Sequence, residues 1–165
     1  QQDAFWAAAR TGLVPFMDAD TYGRSTLENS SFIASSRNPD PAMWGRGFVA
    51  RLSGSTAEML SIWQKLFWGE GGMELVNGRP AFRFDPRLPH FLLDDEGRAA
   101  FTLFSTCQVV AHGNKGWSNS SVKSLVYRMG GKAYTVQGSV LPDGEALRQG
   151  GIDKVDIYLC EREAD

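Results

Sequence analysis

The sequence predicts an α+β chain in which a helical part precedes an antiparallel β-sandwich, and three observations predict it. As far as about Trp68 the signals are those of helices. From Met73 onward apolar residues fall in short runs of strand length bounded by turn residues. Two dipeptides, Asn77-Gly78 and Gly130-Gly131, have the composition of tight turns between paired strands. The 165 residues are 42% hydrophobic and 12% aromatic, enough apolar material for one packed core or two small adjoining ones.

Asp3 to Arg10 is rich in Ala and aromatics and reads as the tail of a helix ended near Gly12 and Pro15. Ser25-Thr26-Leu27-Glu28 has the form of a capping box, the Ser oxygen and the Glu carboxylate each serving a free amide of a first helical turn. A short helix through Phe32 to Ser35 is expected after it. Ser55-Thr56-Ala57-Glu58 repeats the capping form, and beyond it Leu60, Trp63 and Phe67 recur at i, i+3 and i+7, with Met59 and Leu66 widening the stripe. This is the best helix of the chain, and Trp63, Phe67 and Trp68 read as core. Gly69, Gly71 and Gly72 break it.

Met73 to Phe84 then carries two strand-like runs around Asn77-Gly78, a pair suited to a type I′ turn because both central residues need positive φ. Ala100 to Ala111, Ser124 to Arg128, Lys132 to Gln137 and Val155 to Cys160 supply four more strands, which predicts the antiparallel sandwich. Gly113 to Ser121 reads as a mobile loop. Asp94-Asp95-Glu96 before Gly97, and Asp143 with Glu145, read as turns rather than as catalytic carboxylates.

Seventeen basic residues against nineteen acidic ones give a net charge of -2, with no basic run able to follow a phosphodiester backbone, so nucleic acid is not expected as a partner. No stretch approaches the roughly 20 consecutive apolar residues of a membrane span. The opening Gln1-Gln2-Asp3 has neither an initiator Met nor a signal pattern, so the chain is expected to be cut from a longer protein. Cys107 and Cys160 lie in apolar strand-like runs and read as buried free thiols, which points to a reducing, cytoplasmic setting. His90 and His112 have no Cys or carboxylate at ligand spacing, so no metal site is expected. His112 ends an apolar run and reads as a satisfied histidine.

One segment carries more specific information. Gly45-Arg46-Gly47 precedes the apolar run Phe48-Val49-Ala50 and then the turn Ser53-Gly54-Ser55-Thr56 at a helix start. Upstream stand Tyr22-Gly23-Arg24-Ser25-Thr26-Leu27-Glu28-Asn29-Ser30-Ser31-Phe32 and Asn38-Pro39-Asp40; downstream stands Phe84-Asp85-Pro86-Arg87-Leu88-Pro89. In order and spacing these resemble three landmarks of glycoside hydrolase family 94, the family of cellobiose, chitobiose and 1,2-β-oligoglucan phosphorylases. They match its aromatic stretch leading to a Gly-Pro-Asp loop, its Gly-polar-Gly segment with a Thr-Gly-Thr/Ser-Ala turn, and its Asp-Pro-x-Ile/Leu-Pro junction. The wording around Tyr22 to Phe32 is most similar to the 1,2-β-oligoglucan branch.

The resemblance implies the carboxyl-terminal end of an (α/α)6 barrel over residues 1–70, followed by a small antiparallel, jelly-roll-like β-sandwich over 71–165. It implies an inverting phosphorylase that cleaves β-linked glucooligosaccharides with inorganic phosphate and needs no other cofactor. The remainder of the parent enzyme would be a partner, and dimers are frequent in the family. The general acid of the family lies upstream of the matched region, so no catalytic residue is assigned here and the isolated chain is expected to be inactive.

Ser53, Gly54 and Ser55 sit where the family contacts phosphate through hydroxyl and amide, and a helix start with free amides suits an anion. From spacing alone Ser55 and Glu58 equally well cap a structural helix. Ser31 takes the place of a phosphate-binding Gln of the cellobiose-type members, with Asn29 as a neighbouring substitute; both also fit a turn that satisfies its own backbone. Arg46 suits a phosphate or sugar hydroxyl through its planar donor fork, or solvent. Trp44 suits a pyranose face or simple packing. Two rival readings stand beside the enzyme fragment: a sugar-binding sandwich that uses exposed Trp117 without phosphate, and a purely structural cap.

Overall fold

The structure is a computed structural model, and it describes residues 4, 20, 23, 29–51, 54–117 and 120–162. Expected features on residues 3, 5–19, 21–22, 24–28 and 52–53, including the helix tail at Asp3 to Arg10 and the capping box at Ser25, lie outside the described residues. The chain separates into two compact units, residues 1–62 and 63–165. Among the described residues strands dominate and helices are few.

In the first unit Asn29–Ile33 (β1) and Gly47–Arg51 (β2) form an antiparallel pair, with Asn29 opposite Arg51, Phe32 opposite Phe48 and Ile33 opposite Gly47. This corrects the helix expected from Phe32 to Ser35. Phe32 and Ile33 are strong strand formers, and β2 supplies the backbone partners that the local signal could not reveal. The connecting loop extends the ladder, Ala34 N–H donating to Arg46 O at 3.0 Å and Gly45 N–H to Ala34 O at 2.8 Å. A short 3₁₀ helix, Pro41–Met43, fills its middle, capped by Asp40 Oδ1 accepting from Ala42 N–H at 2.9 Å.

Gly54–Phe67 (α1) is the expected helix. In the second unit, Leu66 and Phe67 are buried, Trp63 stacks on Phe67 with centroids 5.0 Å apart, and Phe67 packs on Phe101 at 5.2 Å. A helix leaves its last carbonyls without helical partners. Here the segment after the hairpin takes them, Asp85 N–H donating to Trp68 O at 2.8 Å and Arg87 N–H to Leu66 O at 2.9 Å.

Gly72–Val76 (β3) and Arg79–Arg83 (β4) make the predicted hairpin, with φ of 52° at Asn77 and 75° at Gly78. The remaining strands are Arg98–Leu103 (β5), Cys107–His112 (β6), Ser120–Met129 (β7), Lys132–Gln137 (β8), Val140–Leu141 (β9) and Ile152–Glu161 (β10). Gly144–Arg148 (α2) separates the last two. A three-stranded sheet has the order β3-β4-β9 and a five-stranded sheet the order β5-β6-β10-β7-β8.

The expected strand from Ala100 to Ala111 is two strands, β5 and β6, joined at Phe104 and Ser105, which hold φ of 50° and 61°. No Gly, Asn or Pro marks that turn; Phe104 takes the strained backbone while its ring packs edge-on against Phe82 at 5.9 Å. The five-stranded sheet is mixed rather than purely antiparallel, because β10 runs parallel to β6 while pairing antiparallel with β7. Asp143 and Glu145, expected in a turn, stand at the start of α2. Both sheets feed one core: Phe82 and Leu141 from the smaller, with Phe84 just after β4, pack with Val109, Leu125, Val155 and Ile157 from the larger. Trp117, expected to be exposed, packs against that core.

Candidate functional site

The residues singled out in the sequence fall at two ends of the β1–β2 hairpin. Asn29 opens β1, Ser31 follows two residues later, and Asn29 pairs with Arg51, the last residue of β2. Gly54 and Ser55 are the first two residues of α1. Asn29 thus pairs with a residue that precedes Gly54 by three positions in the sequence. Ser55, expected to cap the helix, stands as its second residue because α1 already begins at Gly54; Ser53 lies outside the described residues. First-turn amides have no acceptor within the helix and sit at its positive end, so the backbone of Gly54 and Ser55 has the polarity an anion needs.

Trp44 and Arg46 stand at the other end, beyond the Ile33–Gly47 pair. That pair is four strand residues from Asn29–Arg51, or roughly 13 Å at the usual rise of a strand. The structure therefore does not gather all the expected substrate residues into one cluster. Trp44 is held by a self-contained loop. Its indole N–H donates to Asn38 O at 2.9 Å, and Asn38 Oδ1 accepts from Asp40 N–H at 2.9 Å. The Trp44 amide donates to Pro41 O at 3.2 Å. The indole is 45% exposed although its one polar atom is satisfied within the loop, so the surface it offers is apolar ring. Arg46 is exposed, and among the described residues it has no ion-pair partner.

A second constellation lies on the outer face of the five-stranded sheet. His112 and Tyr158 are register partners on β6 and β10, and their rings stack at 4.7 Å and 10°. His112 Nε2 lies 2.8 Å from Asp156 Oδ1, and Lys154 Nζ lies 3.0 Å from Asp156 Oδ2. Partial burial pushes the Asp156 carboxyl up, but the bonds from His112 and Lys154 outweigh it and hold the group below its ordinary value. Among the described residues His112 bonds to no hydroxyl or thiol, so it is the satisfied histidine its sequence context suggested.

Both cysteines are free; Cys107 is buried, with burial and then Asp153 pushing its thiol up to about 11, and Cys160 is half-buried. Such a thiol is inert at neutral pH. Among the described residues no group of three or more His, Cys, Asp or Glu could hold a metal ion, and no helix is long and apolar enough to cross a membrane. Compared with known proteins, the chain matches no family model and no curated protein.

Sequence reasoning missed the His112–Asp156–Tyr158 group. His112 and Asp156 are 44 positions apart, and only the parallel pairing of β6 with β10 joins them. The one available signal was the i, i+2 spacing of Asp156 and Tyr158, which puts both on one face of a strand.

Proposed function

We propose that the chain is the carboxyl-terminal part of an inverting glycoside phosphorylase of the family 94 type. On this reading the parent enzyme cleaves β-linked glucooligosaccharides with inorganic phosphate and releases a sugar 1-phosphate. Residues 1–70 are the end of its (α/α)6 barrel, and the sheets that follow are its jelly-roll-like domain. The observation that carries the reading is the pairing of Asn29 with Arg51, three residues before α1 begins. It sets the two stretches that the family resemblance assigns to phosphate on the two strands of one ribbon, β1 and the end of β2.

The chemistry follows from that reading. Phosphate is the nucleophile, so no second carboxylate has to activate a water; a carboxylic acid elsewhere in the parent protonates the leaving oxygen. The amides of Gly54 and Ser55 and the hydroxyls of Ser53 and Ser55 hold the dianion at the positive end of α1. Asn29 and Ser31, on β1, are further substrate contacts on this reading. The two free thiols accord with a cytoplasmic enzyme.

The test is release of glucose 1-phosphate from β-1,2- and β-1,4-glucooligosaccharides by the full-length parent, with wild type beside the double variant Ser53→Ala, Ser55→Ala. The variant is expected to raise the KM for phosphate by about tenfold or more, since hydrogen bonds to a charged group contribute roughly 1.5–3 kcal/mol each. No product from wild type would end the phosphorylase reading. Product with an unchanged phosphate requirement would return Ser53 and Ser55 to helix capping.

Tyr158, exposed and stacked on the half-buried His112, favours a second reading, a sugar-binding sandwich. It requires oligosaccharide binding that is independent of phosphate and is lost on Tyr158→Ala, which calorimetric titration measures directly.

A further inference from the structure

We infer that β3 is the strand through which two copies of this chain pair, its open edge adding antiparallel to the same edge of a second copy. The inference stands on the second unit alone and holds whatever reaction the parent enzyme carries out.

The hairpin sets which backbone groups face outward. A two-residue turn makes its flanking residues a hydrogen-bonded pair, here Val76 and Arg79. Bonded and non-bonded pairs alternate along an antiparallel ladder, so Met73–Phe82 and Leu75–Pro80 are non-bonded pairs. Pro80, which has no N–H to give, stands where the β3–β4 ladder needs none. The N–H and C=O of Met73 and Leu75 therefore point away from β4, and β3 is the edge of its sheet. Among the described residues neither makes a backbone bond beyond that ladder.

The side chains along this edge are apolar. Met73 is 43% and Leu75 74% exposed, on the face that also carries Phe82. Phe104 reaches the same flank from the turn between β5 and β6, packed on Phe82 at 5.9 Å and still 39% exposed. It stands there at a φ of 50°, a backbone form that a bulky residue rarely adopts. Sheet edges are commonly guarded by charge, by proline or by being short. β5 opens with Arg98, β8 opens with Lys132, and β9 is only Val140–Leu141. On β3 the charged side chain is Glu74, and the Arg83 fork holds its carboxylate at 2.8 and 3.0 Å. The edge is left without net charge.

A second copy fits because the edge matches itself. With a two-fold axis at Glu74, Met73 of each copy meets Leu75 of the other as a hydrogen-bonded pair that exchanges both N–H···O bonds. The four apolar side chains then cover one another on the face where Phe104 stands. Each Glu74 meets its twin on the opposite face, already neutralised by its own Arg83. Strands as short as Gly72–Val76 bury less than the roughly 1,200 Å² of a standard interface, so the dimer is weak and depends on concentration.

The experiment is sedimentation equilibrium on the 165-residue chain and its variants Leu75→Pro and Leu75→Lys, beside disulfide trapping of Glu74→Cys and Val76→Cys. Wild type is expected to dimerise as its concentration rises. Leu75→Pro removes an outward N–H while sparing the β3–β4 ladder, and Leu75→Lys puts a charge on the edge; each should raise the dimer dissociation constant by about tenfold or more. At the axis the two Glu74 Cα atoms stand about 4.5 Å apart, within disulfide reach. The two Val76 residues stand roughly 13 Å apart, so Glu74→Cys should cross-link about tenfold faster than Val76→Cys. Wild type, with its buried Cys107 and half-buried Cys160, gives the background rate. A wild type that stays monomeric at every concentration overturns the inference, and so does a dimer that neither Leu75 variant weakens. Equal cross-linking by the two cysteine variants overturns the register at Glu74. If Leu75→Pro does not fold, Leu75→Lys and the cysteine pair still decide.

Discussion

Asp156 joins two partners on the open face of the larger sheet, His112 Nε2 at 2.8 Å and Lys154 Nζ at 3.0 Å. Its carboxyl is held below its ordinary value, so the folded chain binds that proton more weakly than the unfolded chain. Its stabilising effect is therefore complete above the unfolded value of about 3.9 and is lost as the pH falls through the folded value. Asp156→Asn is expected to cost about 1–2 kcal/mol near neutral pH, allowing for solvent screening of a partly exposed pair. It should also make the variant less acid-sensitive than wild type below about pH 4. Urea midpoints at neutral and acid pH measure both; an acid-induced drop as large in the variant as in wild type would show that the pair carries no linkage. Asp156 was not legible beforehand, because nothing local to it announces a histidine 44 positions away.

Hairpins show where local chemistry suffices. Asn77 and Gly78 take positive φ cheaply, and the strand boundaries on either side follow from that turn. Phe104 and Ser105 take similar angles with no such signal, and the turn between β5 and β6 was invisible in the sequence for that reason. Two glycine variants separate backbone conformation from space. At Gly78, φ is +75° and an added Cβ meets nothing within 4 Å, so Gly78→Ala should cost about 1–2 kcal/mol through the left-handed backbone alone. At Gly144 an added Cβ would stand 2.7 Å from the carbonyl carbon of Ala81. Gly144→Ala should therefore lift α2 off β4 and cost about 1–3 kcal/mol through overpacking. Thermal unfolding of the two variants checks both costs, and a neutral Gly144→Ala would mean that α2 is not seated on β4. The β1–β2 hairpin is the opposite case: Phe32 and Phe48 pair across it while 67% and 41% exposed, and its residues read locally as helix.

The second unit carries a complete core of its own, to which both sheets and α2 contribute through Phe84, Leu125, Leu141, Leu147, Val155 and Ile157. A chain of residues 54–165, which keeps all of α1, is therefore expected to fold without the rest and to unfold in one cooperative urea transition, with a slope of about 1–3 kcal/mol/M. Circular dichroism with a strand-rich spectrum that melts without a defined midpoint would show that the core needs the first unit. Turn residues, a helical stripe and strand-forming runs act between neighbours a few positions apart. They were enough to announce α1 with Phe67 inside, the turns at Asn77-Gly78 and Gly130-Gly131, β8 from Lys132 to Gln137, and two unpaired thiols. The order of the strands, the parallel run of β10 beside β6 and the β1–β2 ribbon came only from the folded chain. So did the pairing of Asn29 with Arg51, at the end of the ribbon away from Trp44. Each of these depends on partners distant in sequence, which burial and backbone hydrogen bonding select together across the whole fold.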